Sequence, residues 1–330
     1  MARRPKSPLI PLRQGVAPSC VALPRLRHSP YPLLLDFLAE RLSAVPRTEW
    51  AARLQNGQVW NEGGQPLPPD TPYLHGERVY YWRELPHEPA VPFQETVLFQ
   101  DEHLLVADKP HFLPVTPGGR FVRETLLVRL RERLNLPELS PLHRIDRETA
   151  GLVLFSVRAT DRNAYQRLFR ERALKKRYEA VGQWQGSAPT PELHPQNPTI
   201  WERQSHLRED PQAFYRMQEA LPDSGLAPNS LTHIRVLEQR GPQALFELEP
   251  VTGKRHQLRV HMAALGWPLV GDQFYPRVLR APSELEDFQQ PLQLLARELW
   301  FTDPVTGQVR SFRSQRSLAW PEQGQATTSL

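Results

Sequence analysis

The apolar run GLVLFS, residues 151–156, sets the tightest limit on the fold, because so many consecutive apolar side chains predict a buried β-strand. The segment just before it places Asp146 between Arg144 and Arg147. A carboxylate in a loop that enters a buried strand is partly shielded from water, and neighbouring arginines keep it ionised. Such a group is suited to act as a nucleophile or a base. The alternative is an ordinary ion pair on the protein surface.

Hairpin signals dominate the remainder of the larger domain and predict its fold class. Helical spacing predicts helices over 122–134, over about 161–171 and in TGKRHQLRVHMAALG. Residues 185–230 show no sustained period, which favours a long irregular insertion. The fold class expected is α+β, with a mixed, largely antiparallel sheet. The hairpins expected are TVLFQ with HLLVADKP, LTHIRVL with ALFELEP, and LQLLARELWF with QVRSFRS.

Composition shifts along the chain predict four parts. They are a basic flexible tail over 1–30, a small αα plus β-hairpin accessory domain over 31–85, a larger domain over 92–314 and a disordered tail over 315–330. The accessory domain contains two short helices separated at Pro46. Its five arginines are outnumbered by seven acidic residues, so it is net acidic.

Several classes of site and protein lose support from the sequence. The one cysteine, Cys20, cannot form an intrachain disulfide or a cysteine-based zinc site. Phosphate-binding loop, dinucleotide-binding, nucleophile-elbow and HExxH motifs are all missing. His256 and His261 are five residues apart, a poor spacing for a metal pair on a helix, so neither metal nor cofactor is expected. The net charge of +5 modestly favours an anionic partner. No apolar stretch reaches the roughly 20 residues that span a bilayer, and we expect a cytoplasmic protein.

Five segments resemble motifs of the RluA-type pseudouridine synthases and occur in the same order as in that family. HRIDRETAGLVLF is similar to the catalytic motif H-R-[LI]-D-x-x-T-[SA]-G, and TGKRHQLRVHMAALGWPLVGDQFYP is similar to G-[RK]-x-H-Q-[LI]-R-x-H and the segment after it. The other three are VADKPHFLPVTPGG, KKRYEAVGQW and LLARELWFTDPVTG. The resemblance covers about residues 96–313 and implies a pseudouridine synthase catalytic domain. The accessory domain resembles a small RNA-binding module that often precedes it.

The resemblance implies an enzyme that isomerises uridine in ribosomal or transfer RNA without a cofactor, and we expect a monomer. It makes Asp146 the essential carboxylate, which attacks the ribose, adds to the base or removes a ribose proton. It places Tyr178 against the flipped-out uracil, whereas Arg259 is expected to pair with Asp146 and keep it ionised. Arg144 is the residue expected to fill the gap left by the flipped base. The other RNA-binding residues expected are His143, Arg147, Lys254, Arg255 and His256.

Two other functions remain open at this point. One is a non-catalytic RNA-binding protein on the same scaffold, although RNA binding alone would not require Asp146, Tyr178 and Arg259. The other is a carboxylate-based glycosidase, for which Glu148 is the nearby candidate for the second carboxyl group. A second interpretation of Lys254 and Arg255, as parts of a solvated basic face without a binding role, is equally open.

Overall fold

The computed structural model describes residues 10–85, 87–184, 192–194, 197–281, 284 and 287–320. They fall into two compact units, the first within Met1–Pro89 and Pro117–Pro137, the second within Ala90–Thr116 and Glu138–Leu330. No helix among these residues is both long enough and apolar enough to cross a membrane. The helices are α1 (Leu34–Arg41), α2 (Arg47–Gln55), α3 (Leu126–Leu134), α4 (Arg162–Arg170) and α5 (Gln257–Ala264). The strands are β1 (Ser19–Ala22), β2 (Val59–Asn61), β3 (Arg78–Tyr81), β4 (Thr96–Gln100), β5 (Leu104–Lys109), β6 (Ser140–Pro141), β7 (Ala150–Ser156), β8 (Lys175–Gln183), β9 (Glu192–His194), β10 (Asn197–Ser205), β11 (Leu207–Asp210), β12 (Ala213–Glu219), β13 (Ser230–Arg240), β14 (Gln243–Pro250), β15 (Leu294–Thr302) and β16 (Val309–Arg313).

The first unit packs two helices on a three-stranded antiparallel sheet of order β1-β3-β2. Leu34 and Leu38, one turn apart on α1, are fully buried with Trp50 of α2 and Val79 of β3. Both predicted helices of this part are therefore confirmed, and Gly57 follows α2 with a positive φ of 63°, as a helix terminus favours.

The ends of the chain differ from the expected tails. Strand β1 lies inside residues 1–30 and pairs with β3, because a short extended segment satisfies the otherwise open edge of that strand. Toward the other end, Trp320 donates its indole N–H to Glu238 at 3.2 Å, so residues 315–320 also make defined contacts. The rest of both expected tails, residues 1–9 and 321–330, lies outside the described residues. The first unit also contains α3, which the prediction assigned to the larger domain.

The second unit is built on an 11-stranded sheet of order β4-β5-β7-β15-β8-β14-β13-β10-β9, with β16 beside β15 and β6 beside β7. Its strand pairs are antiparallel except β7 with β15, which confirms the mixed, largely antiparallel α+β fold. That parallel pair is unusually close at Gly151, where φ is +108° and an added Cβ would lie 2.3 Å from the carbonyl oxygen of Ala296. Only glycine fits there.

The expected irregular insertion over 185–230 is largely wrong. Strand β10 extends the main sheet, and β11 and β12 form a separate hairpin; residues 185–191 and 195–196 lie outside the described residues. The sequence of this hairpin shows no clear apolar period, because Leu207 and Met217 are the only residues of the hairpin that are buried. Helix α5 is also shorter than predicted: it begins at Gln257, after His256 adopts a left-handed φ of 54°.

Helix α5 is held against the sheet by both apolar and polar contacts. Leu258, Met262 and Leu265 are buried in the cluster that includes Phe246 of β14, as the helical pattern predicted. On the same helix, the imidazole of His261 hydrogen-bonds Thr232 of β13 at 2.9 Å through Nδ1. These contacts fix α5 on the sheet, and Arg259 in its first turn lies 3.4 Å from Asp146 in the loop that leads into β7.

Candidate active site

A cleft of about 1250 Å³ opens in the second unit, where the loop before β7 meets the segment before α5. The site residues expected from the sequence all line it: His143, Arg144, Asp146, Arg147, Tyr178, Lys254, Arg255, His256 and Arg259. Residues more than 110 positions apart in the chain thus share one cavity. No cluster of three or more potential metal-ligating side chains occurs among the residues that the structure describes.

Asp146 lies in this cleft with 22% of its side chain exposed. Its Oδ2 is 3.4 Å from Nη1 of Arg259, and its Oδ1 is 3.9 Å from Nε2 of His256. The backbone also fixes the loop, since the N–H of Thr149 donates to the carbonyl of Asp146 at 3.2 Å. The carboxylate therefore has a nitrogen atom of Arg259 or His256 near each oxygen and remains accessible from the cleft.

Arg259 is 1% exposed, and its main partner is Asp272. Its Nε and Nη2 donate to the two oxygens of Asp272 at 2.8 and 2.7 Å, a bidentate geometry that fixes the guanidinium plane. Its remaining nitrogen, Nη1, is 3.4 Å from both Asp146 and Glu148. The expected pair of Arg259 with Asp146 is present, but this contact is longer than those with Asp272 and is shared with Glu148.

Asp272 was not identified as a site residue from the sequence, although it stands in the quoted GDQFYP segment. It is buried, and its Oδ1 also accepts the backbone N–H groups of Phe274 and Tyr275 at 2.9 and 3.2 Å. These bonds hold the segment after Gly271 against Arg259. An acidic residue 13 positions after an arginine carries no periodic signal, so only the tertiary contact reveals the pair.

Glu148 is the second carboxylate beside Arg259, with 12% of its side chain exposed. Arg147 binds it through Nε at 3.0 Å and Nη2 at 2.8 Å. Burial would raise the pKa of Glu148, but Arg259 and Arg147 outweigh burial and lower this pKa to about 2. A glycosidase needs one carboxyl group that stays protonated as the general acid. The ionised state of Glu148 therefore argues against Glu148 as that general acid.

The pKa of Glu148 predicts a pH dependence of stability. Because its folded pKa is below the ordinary value of 4.5, its stabilisation is present above pH 4.5 and is lost as the pH falls toward 2. Such a shift corresponds to about 3 kcal/mol. Glu148→Gln should therefore reduce the free energy of unfolding most near pH 7 and progressively less toward pH 3, in urea titrations beside an exposed control, Glu209→Gln. An equal reduction at pH 7 and pH 3 would show that the charge of Glu148 is not responsible.

Lys109 supports the same loop from inside the protein. It is fully buried at the end of β5, and its Nζ donates to the carbonyls of Pro110 at 2.9 Å and Arg147 at 3.0 Å. Burial lowers its pKa to about 7, although Glu148 and Asp146 oppose the shift. In the sequence this lysine is the last residue of the apolar segment LLVADK, and no individual role was predicted for it. Lys109 positions the backbone beside Asp146.

Tyr178 lies on β8, where its backbone is paired with Leu248 of β14 and Ala296 of β15. The ring is partly buried against the apolar cluster beneath the cleft. Burial and then the charge of Asp146 raise the pKa of the Tyr178 hydroxyl well above its ordinary value. The phenol is therefore neutral, and Tyr178 is one of the residues that line the cleft.

Two of the residues expected to bind RNA have other partners. The Nε2 atom of His143 accepts the backbone N–H of Leu154 at 3.1 Å, and the ring stacks on Phe169 with centroids 4.9 Å apart. Burial, with a contribution from Lys176, lowers its pKa to about 3, so the ring is neutral. Arg147 is paired with Glu148. Both side chains therefore have contacts within the fold around the cleft, and RNA contact by His143 and Arg147 stays a prediction.

The other expected RNA-binding residues differ in exposure. Arg144, Lys254 and Arg255 are exposed at the cleft. Arg144 makes no hydrogen bond or ion pair with the described residues, whereas Arg255 donates to the backbone carbonyl of Phe214 at 3.1 Å. Lys254 and Arg255 precede α5, so neither lies on the helix predicted to include them. His256 is largely buried beside Asp146 and does not lie at the rim.

Comparisons with known proteins agree with this fold. The RNA pseudouridylate synthase family model matches residues 103–264. An uncharacterized RNA pseudouridine synthase of Synechocystis sp. is 34% identical over 242 residues, which are 73% of this chain and 79% of that protein. The dual-specificity RNA pseudouridine synthase RluA of Haemophilus influenzae is 31% identical over 229 residues, 69% of this chain and 95% of that protein.

A solved structure supports the fold independently. Human RNA pseudouridylate synthase domain containing 1 superposes with a TM-score of 0.52 at 24% identity, over 70% of this chain and 86% of that chain. The resemblance of the five segments, the sheet that brings them together and the identity to whole relatives all point to one conclusion. The chain belongs to the RluA-type family of RNA pseudouridine synthases.

Proposed function

We propose that this enzyme isomerises uridine in ribosomal or transfer RNA, with Asp146 as the essential carboxylate. The observation that carries the proposal is the placement of Asp146, which is accessible from the cleft and lies 3.4 Å from the buried guanidinium of Arg259. The guanidinium lies where it can pair with the carboxylate, on which all three possible roles of Asp146 depend. We further propose that the enzyme acts as a cytoplasmic monomer without a cofactor.

The dimensions and charges of the cleft support a polymeric anionic substrate. Its volume of about 1250 Å³ exceeds the roughly 300–1,000 Å³ typical of small-molecule pockets. Exposed Arg144, Lys254 and Arg255 line it and are suited to phosphate contacts. If Lys254 and Arg255 are only parts of a solvated basic face, removing them should leave RNA affinity unchanged.

The position of the carboxylate supports base flipping. Asp146 is inside the cleft, and a uracil stacked within RNA cannot approach it, so the nucleotide has to leave the stack. Tyr178, on the floor of the cleft, offers its ring to the flipped base and its neutral hydroxyl for hydrogen bonding. Asp146 then attacks the ribose, adds to the base or removes a ribose proton, while Arg259 balances its charge.

The test uses transcripts of ribosomal and transfer RNA in which uridine carries tritium at carbon 5. We expect tritium release with an intact strand from at least one of them, because rebuilding the glycosidic bond to carbon 5 displaces that hydrogen. Release from neither class, with activity on another RNA, would refute the proposed substrate. Mapping pseudouridines in cellular RNA with and without the gene identifies the position.

Arg144→Ala tests base flipping. If Arg144 fills the gap left by the flipped uridine, its loss should lower turnover by about 10- to 100-fold on structured RNA, the equivalent of about 1.4–2.7 kcal/mol. On a single-stranded substrate no stack has to be opened, so the loss should be small. Lys254→Ala is the matched control, because it removes an exposed cation from the same cleft without removing the side chain that fills the stack. Equal losses for Arg144→Ala on both substrates would contradict the role.

A further inference from the structure

The hydroxyl of Tyr275 connects the β11–β12 hairpin to His256. It accepts the backbone N–H of Met217 at 2.8 Å and lies 2.9 Å from Nδ1 of His256. A tyrosine hydroxyl has one proton to donate. Among the described residues, Nδ1 of His256 is the acceptor within reach of that proton, and a buried donor without an acceptor costs free energy. Tyr275 therefore donates to Nδ1.

The direction of this bond determines where His256 carries its own proton. A neutral imidazole has one N–H, and the nitrogen that accepts a hydrogen bond cannot be the one that carries the proton. Because Nδ1 accepts from Tyr275, the proton is on Nε2. That Nε2 atom is 3.9 Å from Oδ1 of Asp146, on the oxygen that Arg259 does not contact.

We propose that His256 is a positioning residue for Asp146: Tyr275 holds its neutral ring in the Nε2–H tautomer, and that N–H orients the carboxylate through Oδ1. The proposal rests on the essential role of Asp146 proposed above. Arg259 and His256 thus hold one oxygen each. At 3.9 Å the contact is longer than a hydrogen bond, as is common for catalytic contacts before the substrate is bound.

The surroundings of His256 are consistent with a fixed neutral ring. It stacks on Phe274 at an interplanar angle of 16°, and its backbone has a left-handed φ of 54°, which is uncommon outside glycine. Burial lowers the pKa of His256; Asp146 and Glu148 oppose the shift, whereas Arg259 and Arg255 add to it. The ring is therefore neutral near pH 7, and its tautomer decides which nitrogen is a donor.

The test compares His256→Gln, His256→Asn and His256→Ala in single-turnover tritium release at saturating RNA. The amide nitrogen of Gln reaches about as far as Nε2, whereas that of Asn reaches only as far as Nδ1. We expect Ala and Asn to lower the rate by about tenfold, the value of a weak hydrogen bond to a charged group, and Gln to recover most of it. RNA affinity should not change. Asn tolerates the left-handed backbone at position 256 better than Gln does. The Asn variant should therefore fold at least as well as the Gln variant, so its lower rate cannot be attributed to poorer folding.

A second pair of variants tests the origin of the tautomer. Tyr275→Phe removes the hydroxyl that donates to Nδ1 and should slow the same step several-fold without changing RNA affinity. Tyr215→Phe is the matched control, because this ring packs on Phe274 with centroids 5.4 Å apart but its hydroxyl has no partner among the described residues. Its rate should equal that of the wild type.

The outcomes separate this proposal from the one it rests on. Equal rates for the Gln and Asn variants, an Ala variant at the wild-type rate, or an unaffected Tyr275→Phe would overturn the role of His256. If the His256 variants do not fold, Tyr275→Phe alone decides between these outcomes. Asp146→Asn is measured in parallel: if it remains active, the essential role of Asp146 fails, whatever the His256 variants do.

Discussion

Asp146→Asn is expected to lower tritium release by at least about 100-fold, which corresponds to about 2.7 kcal/mol in the activation barrier. The amide has the size and shape of the carboxylate but cannot act as a nucleophile or a base. Because the side chain is accessible and its contacts with Arg259 and His256 are 3.4 and 3.9 Å long, the substitution should leave the fold intact. RNA affinity should also remain, since the basic side chains of the cleft are unchanged.

The control for this measurement is Asp70→Asn, an exposed position in the first unit that should have full activity. RNA affinity and the urea unfolding midpoint are measured on the same preparations, so that a loss of turnover is not confused with a loss of binding or folding. Turnover of Asp146→Asn above about one per cent of the wild type would contradict the essential role of this carboxylate.

Replacing Arg259 by methionine is expected to damage both stability and turnover. The substitution leaves Asp272 buried without its bidentate partner, and breaking a buried ion pair in this way costs about 3–5 kcal/mol. It also removes the cation 3.4 Å from Asp146. We expect turnover to fall on structured and single-stranded RNA alike, unlike the loss for Arg144→Ala.

The double variant Arg259→Met with Asp272→Asn separates the two effects, because the amide oxygen can still accept the backbone N–H groups of Phe274 and Tyr275. It removes the uncompensated buried charge together with the arginine, so urea unfolding should show that much of the lost stability is regained. Turnover should stay low, because Asp146 still lacks the guanidinium. If the double variant regains wild-type turnover, Arg259 contributes only to folding and has no role at the carboxylate.

Much of the local structure could be predicted from neighbouring residues. The apolar run at 151–156 is the buried strand β7, and the amphipathic pattern after TGK is a helix whose Leu258 and Met262 are buried. These predictions succeed because strand and helix periodicity is a property of adjacent side chains. The resemblance of the five segments likewise pointed to the family and to the cleft residues, before any contact was known.

The hairpin at residues 207–219 and strand β1 were not predicted, because both are stabilised by distant parts of the chain. Strand β1 pairs with residues about 60 positions away. The hairpin buries few apolar residues of its own and is tied to the fold through contacts such as that of Met217 with Tyr275. Local composition carries no record of such partners.

The sequence by itself determined the family, the α+β class and the residue types that meet in the cleft. Only the tertiary structure decided which of those side chains are already engaged: Arg147 with Glu148, Arg259 chiefly with Asp272, and His256 with Tyr275. The physical reason is that a charge or a hydrogen-bonding group in the sequence has many possible partners. Burial leaves a polar group only those partners that the packed elements bring within about 3 Å of it, and that choice is a property of the whole fold.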